Sequence, residues 1–260
     1  MWRKIIYTAV WILLTIGVVV IYGFAQKSQQ TTICNNVNVE IDIQDENTFV
    51  EREDILQLAE DAGNKLIDDK TGEIDVYKLE KIVRNHPSVQ TAEVFMDIDG
   101  NVTIKVKQRK PIVRVYNFKG ESFYIDEEGK LMPLSENYAA RVPVASGTIF
   151  ENYNAFYPYD FDDINDTLLK KTSLYGIYSL AKYINLNEFW KAQIEQIYVD
   201  EKKIELIPKL GNHTIVFGDT SDVAGKFNKL LIFYKEGLNK VGWNKYKTID
   251  LQYKNQVVCK

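Results

Sequence analysis

Two histidines, two cysteines and a scatter of carboxylates are the side chains from which any chemistry in this chain would have to be built. His86 stands before Pro87, and His213 falls in a turn after Gly211-Asn212. Neither is flanked by metal-holding residue types, because no HExxH, CxxC or His/Cys cluster occurs. Cys34 and Cys259 lie far apart in sequence. An oxidising compartment would permit a bridge between them, but sequence does not give their Cα separation, and two free thiols are the expectation. A serine or cysteine nucleophile needs a base set against it, and no GxSxG elbow is present. The glycines are too dispersed to cradle a phosphate. Asp160 with Asp162 or Asp163 has the residue types for acid/base work, yet such a run reads first as a solvated turn. Asn101, Asn165 and Asn212 begin N-x-T triplets, a pattern too frequent by chance to use. The expectation is a protein that is not an enzyme and holds no cofactor and no metal.

Among the elements that must carry these residues, the first is Ile5 to Phe24, IIYTAVWILLTIGVVVIYGF, an uncharged run. At about 1.5 Å per helical residue it matches the ~30 Å hydrocarbon core of a bilayer. The expectation is a single transmembrane helix over 5–25, with Trp2 and Tyr22 near the two interfaces. Arg3 and Lys4 would keep residues 1–4 in the cytoplasm as a short tail, and everything after about Ala25 would lie outside. A cleaved signal peptide has a shorter apolar stretch, and Thr31-Thr32-Ile33 is a poor lipobox for a lipoprotein reading of Cys34. Without Arg3 and Lys4 the chain has 30 basic against 36 acidic residues, a net charge of −6 that offers no overall attraction to nucleic acid.

Residues 26–36 are polar and read as a flexible linker. From Val37 to Gln44 the alternation has the period of a half-buried strand. Thr48 and Glu51 have capping-box spacing ahead of a helix over Ile55–Ala62 that Gly63 ends. Asp75 caps a second helix, with Leu79, Ile82 and Val83 facing inward and Pro87 stopping it. Ala92–Ile98 and Val102–Val106 then form a hairpin about Asp99-Gly100. Strand, helix, helix, strand, strand makes one domain over 37–109.

Residues 110–260 read as a β-rich domain with two helices. Short strands are expected at Ile112–Tyr116, Ser122–Asp126 and Lys130–Leu134. Asn137 to Asp162 is irregular and rich in aromatics, an ordered loop over a core. A helix follows from Asp163 to Ile184, then strands near Ile194–Val199, Ile204–Ile207 and Thr214–Phe217, and a helix through Val223–Leu238 capped by Ser221 or Asp222. Lys247 to Val258 alternates as one final strand with a greasy face. The fold class is α+β.

Several strings resemble, in order, the FtsQ/DivIB bacterial cell-division family. They are His86-Pro87-Ser88-Val89, Gln108-Arg109-Lys110-Pro111-Ile112, Tyr124-Ile125-Asp126 with Gly129-Lys130 and Met132-Pro133-Leu134, and Ile249 to Tyr253 with Asn255 to Val258. The first domain is similar to a POTRA module. The resemblance implies a non-enzymatic scaffold of the septum machinery in the cell inner membrane, with its folded domains in the periplasm. It also implies an interdomain junction at Gln108, Arg109 and Pro111. Its partners would be FtsB/FtsL-type membrane-anchored coiled-coil proteins and other divisome proteins, met by strand addition along Thr248, Ile249, Asp250, Leu251, Gln252, Tyr253, Lys254, Asn255, Gln256, Val257 and Val258, with Tyr253 as side-chain anchor. Gln252 stands where family members frequently have Arg, and the tail before the apolar run is shorter than is common. Independently, a terminal strand guarded in its middle only by Lys254 invites pairing. The alternative is a POTRA-containing envelope protein for secretion or outer-membrane assembly; a β-barrel sequence would then follow the module, and none of its ~10-residue amphipathic repeats is present.

Overall fold

The computed structural model describes residues 2–31, 33–42, 48–63, 65–136, 138–157, 159–163, 166–201 and 203–260, and within the first helix the side chains of 2, 6, 7 and 10–22. Ile43 and Gln44 at the expected end of the first strand, Asn137, Asn165, and the side chains of Arg3, Lys4, Ile5 and Phe24 lie outside these residues.

Helix α1 (Trp2–Thr31) opens the chain. Among the described residues no helix is long and apolar enough to cross a membrane, which corrects the expectation of a transmembrane helix over 5–25. The helix also continues through Gln26–Thr31, so these polar residues extend it where a flexible linker was expected.

The chain divides into two compact units, Met1–Gln108 and Arg109–Lys260. The first contains β1 (Val37–Asp42), α2 (Arg52–Asp61), a 3-10 turn at Thr71–Glu73, α3 (Val76–Arg84), β2 (Val89–Met96) and β3 (Val102–Gln108). β3 is central, parallel to β1 with Val37 opposite Val102, and antiparallel to β2. The N-cap of α2 is Glu51, whose N–H donates to Asp54 at 2.8 Å, so the box lies three residues later than Thr48–Glu51. The expected cap of α3 is present: Asp75 accepts from Lys78 N at 3.0 Å. Ile55, Ala59, Leu79 and Val83 of the helices and Ala92, Ile104 and Val106 of the strands are all buried, each large side chain contributing roughly 1.5–3 kcal/mol as an upper estimate.

The second unit contains β4 (Pro111–Tyr116), β5 (Ser122–Asp126), β6 (Leu131–Met132), β7 (Val144–Gly147), α4 (Tyr153–Phe156), a 3-10 turn (Leu169–Lys171), α5 (Ser173–Asn185), α6 (Glu188–Gln193), β8 (Ile194–Asp200), β9 (Lys203–Pro208), β10 (Thr214–Gly218), α7 (Val223–Ile232), a π turn (Phe233–Leu238), α8 (Asn239–Val241), β11 (Thr248–Asp250) and β12 (Val258–Cys259). Among the described residues the strands form one sheet in the order β12-β11-β10-β9-β8-β7-β4-β5-β6. Leu174, Ile177 and Ala181 of α5, Trp190 of α6 and Phe227 and Leu230 of α7 share a core with Ile197, Leu206, Ile215 and Ile249 of the strands.

Three expectations change here. The helix drawn from Asp163 to Ile184 begins at Ser173, because Thr172 accepts from Tyr175 N and caps it there. The aromatic loop contains β7, which lies parallel between β4 and β8. The single strand drawn over Lys247–Val258 is two short strands joined by a turn.

Candidate functional site

The turn that breaks the final strand begins at Asp250, whose carboxylate accepts from Gln252 N at 2.9 Å. Such an Asx contact competes with ladder bonding and bends the chain. Leu251 still points into the core and its N–H donates to Val216 O at 2.9 Å, after which residues 252–256 are exposed. Lys229 of α7 fixes the turn from below, since its Nζ donates to Leu251 O at 3.0 Å and to Tyr253 O at 2.7 Å. Gln252 lies over Gly218, whose φ of +81° and lack of Cβ make room for it; a Cβ there would meet Gln252 Cγ at 2.9 Å. Tyr253 stands 49 % exposed at the crest.

Beyond the turn, β12 returns antiparallel to β11, with Ile249 opposite Cys259 and Asp250 opposite Val258. Thr248 and Lys260 exchange both backbone bonds at 3.0 Å. Bonded and non-bonded pairs alternate in an antiparallel ladder, so Cys259 is in a non-bonded pair and its N–H and C=O face away from β11. β11 itself is closed, because β10 pairs with it on the other side. The outer rim of the sheet at this end is therefore β12, where the two backbone groups of Cys259 face outward.

Of the sequence-derived contact residues, Ile249 and Leu251 are fully buried, Thr248 and Asp250 lie in an internal strand, Gln252, Tyr253, Lys254, Asn255 and Gln256 are exposed, and Val257 and Val258 are half-buried at the rim. Sequence marks neither Lys229 nor the backbone of Cys259 as part of this site. Lys229 belongs to a helix over twenty residues away and no local pattern marks it, whereas Cys259 was read only as a thiol. That thiol is free, and burial pushes its pKa up. Below the turn, Asp219 is held down to about 2 by Lys226, whose Nζ lies 2.6 Å away, and by Ser221.

The junction residues are built differently. Gln108 is buried and its side chain accepts from Val50 N at 2.9 Å. Arg109 Nη1 donates to Asp126 at 2.7 Å and to Glu128 at 3.1 Å. Asp126 also accepts from Lys130 N at 2.7 Å and Glu128 N at 3.0 Å; burial pushes its pKa up, and Arg109 and the Lys130 amide pull it back. Pro111 opens β4 opposite Asp126.

The histidines are packed side chains. His213 Nε2 lies 2.9 Å from Tyr234 Oη beside Trp243, and burial lowers its pKa. His86 Nδ1 accepts from Ser88 N at 3.2 Å in the turn with Pro87, and burial lowers its pKa against the pull of Asp54. Among the described residues no group of His, Cys, Asp and Glu is placed to hold a metal ion.

Two comparisons bear on this geometry. The family described as FtsQ/DivIB, C-terminal related, matches residues 110–260, and a POTRA-like domain matches residues 32–107. No curated protein matches the chain.

Proposed function

Because the chain belongs to the FtsQ/DivIB family, a family of non-enzymatic, membrane-associated division proteins with a scaffold role, we propose that it recruits an FtsB/FtsL-type coiled-coil partner by adding one of that partner's strands to β12. The observation that carries this reading is the rim itself. Cys259 turns a donor and an acceptor outward on the strand that follows the turn, where Tyr253 is exposed and Lys229 already holds the backbone.

Preorganisation supports the same reading, since a turn fixed before binding costs less to order on contact. Two to four backbone bonds at roughly 0.5–1.5 kcal/mol each supply only a few kcal/mol. A micromolar complex needs about 8 kcal/mol. Burial of Tyr253 and Val257 must therefore contribute most of the rest, as aromatic anchors do in strand-addition complexes.

The test is a binding titration of the full chain with a purified FtsB/FtsL-type pair, using Tyr253→Ala and Cys259→Pro. The proline removes the outward N–H and leaves the Thr248–Lys260 pair in place. Weaker binding of both variants with an unchanged circular dichroism spectrum is the expected result. Wild-type affinity in both would rule the rim out.

A further inference from the structure

On the far side of β9 from the rim, β4, β7 and β8 run parallel as neighbours, and a cavity of about 320 Å³ opens where they begin. Its floor is Ile112, Ile184 and Ile194, each at most 2 % exposed. Its rim has three exposed cations from separate segments: Arg141 ahead of β7, Lys191 of α6 and Lys209 after β9. Among the described residues none of the three has an ion-pair partner, and Glu195 is the one carboxylate lining the cavity. A chain of formal net charge −4 thus carries a local excess of two positive charges around an apolar floor.

The rim is held in place by its backbone. Arg114 N donates to Pro143 O at 3.0 Å, which fixes the segment after Arg141 against β4. Lys209 N donates to Gln193 O at 2.7 Å, and Gln193 Nε2 to Leu210 O at 3.1 Å, which ties the end of β9 to α6. Trp190, 1 % exposed, anchors α6 in the core beside Lys191.

We infer that this cavity binds a short acidic peptide segment, one large apolar side chain resting on the isoleucine floor and the flanking carboxylates meeting Arg141, Lys191 and Lys209. The volume is near the lower limit of ligand sites, about 300–1,000 Å³, which suits one side chain and its neighbouring backbone. A guanidinium takes a carboxylate through two parallel bonds, and the two ammonium groups add point charges on the other sides of the opening. Unpaired cations steer an acidic ligand and make its capture sensitive to salt. β10 and β11 separate β9, whose end carries Lys209, from β12, so the site does not depend on strand addition at the rim.

To test this, the full chain is panned against a random hexapeptide library, and recovered peptides are synthesised with a fluorophore and titrated by anisotropy. Recovered sequences should place Asp or Glu beside a large apolar residue. The variant R141E/K191E/K209E should weaken them at least tenfold with an unchanged melting curve, and Tyr253→Ala should leave them unaffected. Should the triple reversal disturb the fold, Lys191→Ala/Lys209→Ala replaces it, with a loss of about fivefold expected. Recovery of no peptides, recovery without acidic residues, or affinity indifferent to the rim substitutions overturns the inference. Loss of binding to phosphatidylglycerol vesicles by the rim variant, with peptide binding intact, overturns it in favour of a lipid surface.

Discussion

The Arg109–Asp126 corner and the Tyr253 turn are both fastened by one basic side chain, yet they have opposite exposure. At the corner the cation is 12 % exposed and its carboxylate 1 %, and Asp126 has further donors from two amides. At the turn, Lys229 holds only carbonyl oxygens, and the residues above it face solvent. A buried charge that loses its partner is costly, whereas a solvated one is not. The corner is thus committed to the fold of the second unit, and the turn leaves its side chains free for contact.

Arg109→Met should show the largest effect. It strands Asp126 in the interior and should lower the unfolding free energy by about 3 kcal/mol, read by urea denaturation, without changing partner affinity; adding Asp126→Asn should recover part of the loss. If the single variant melts as wild type does, the contrast with the turn is gone. Tyr253→Ala should do the reverse, weakening the partner complex by about 2 kcal/mol at constant melting temperature. A smaller effect on both readouts is expected from Lys229→Met. Freed carbonyls at the turn reach water, so stability should fall by about 1 kcal/mol, with a loss of partner affinity that reports the turn's preorganisation. The least effect belongs to Asp219. Lys226 and Ser221 depress its carboxyl from 3.8 to about 2, so its contribution is complete above pH 3.8 and disappears as pH falls through about 2. Asp219→Asn should flatten that part of an acid-unfolding curve and leave neutral pH nearly untouched.

Local patterns revealed what depends on near neighbours. Asp75 as a cap, Leu79 and Val83 facing inward, and the hairpin about Gly100 were all readable because each involves residues within one element or its turn. β7 was not, since Val144–Gly147 does not alternate and becomes a strand only between β4 and β8. Its Gly147, with φ of +111°, is required because a Cβ would collide with the Val199 carbonyl, a neighbour distant in sequence. The tail misled for a related reason. Its period of two is genuine, but Asp250 and Lys229 bend it after three residues, and half of that device is on another helix. The membrane helix expected from the apolar run near the start, with its flanking Arg3 and Lys4 and its interfacial Trp2 and Tyr22, is not sustained by the described residues.

The crossover from β10 through α7 to β11 has a consequence in time. A parallel partner cannot arrive by a tight hairpin, so β11 pairs with β10 only once the crossover through α7 has closed. During that interval the flank of β10 is bare. A foreign strand meeting a half-folded molecule finds there a longer template than the finished rim provides, and prompt closure by β11 protects the chain from pairing one place too early.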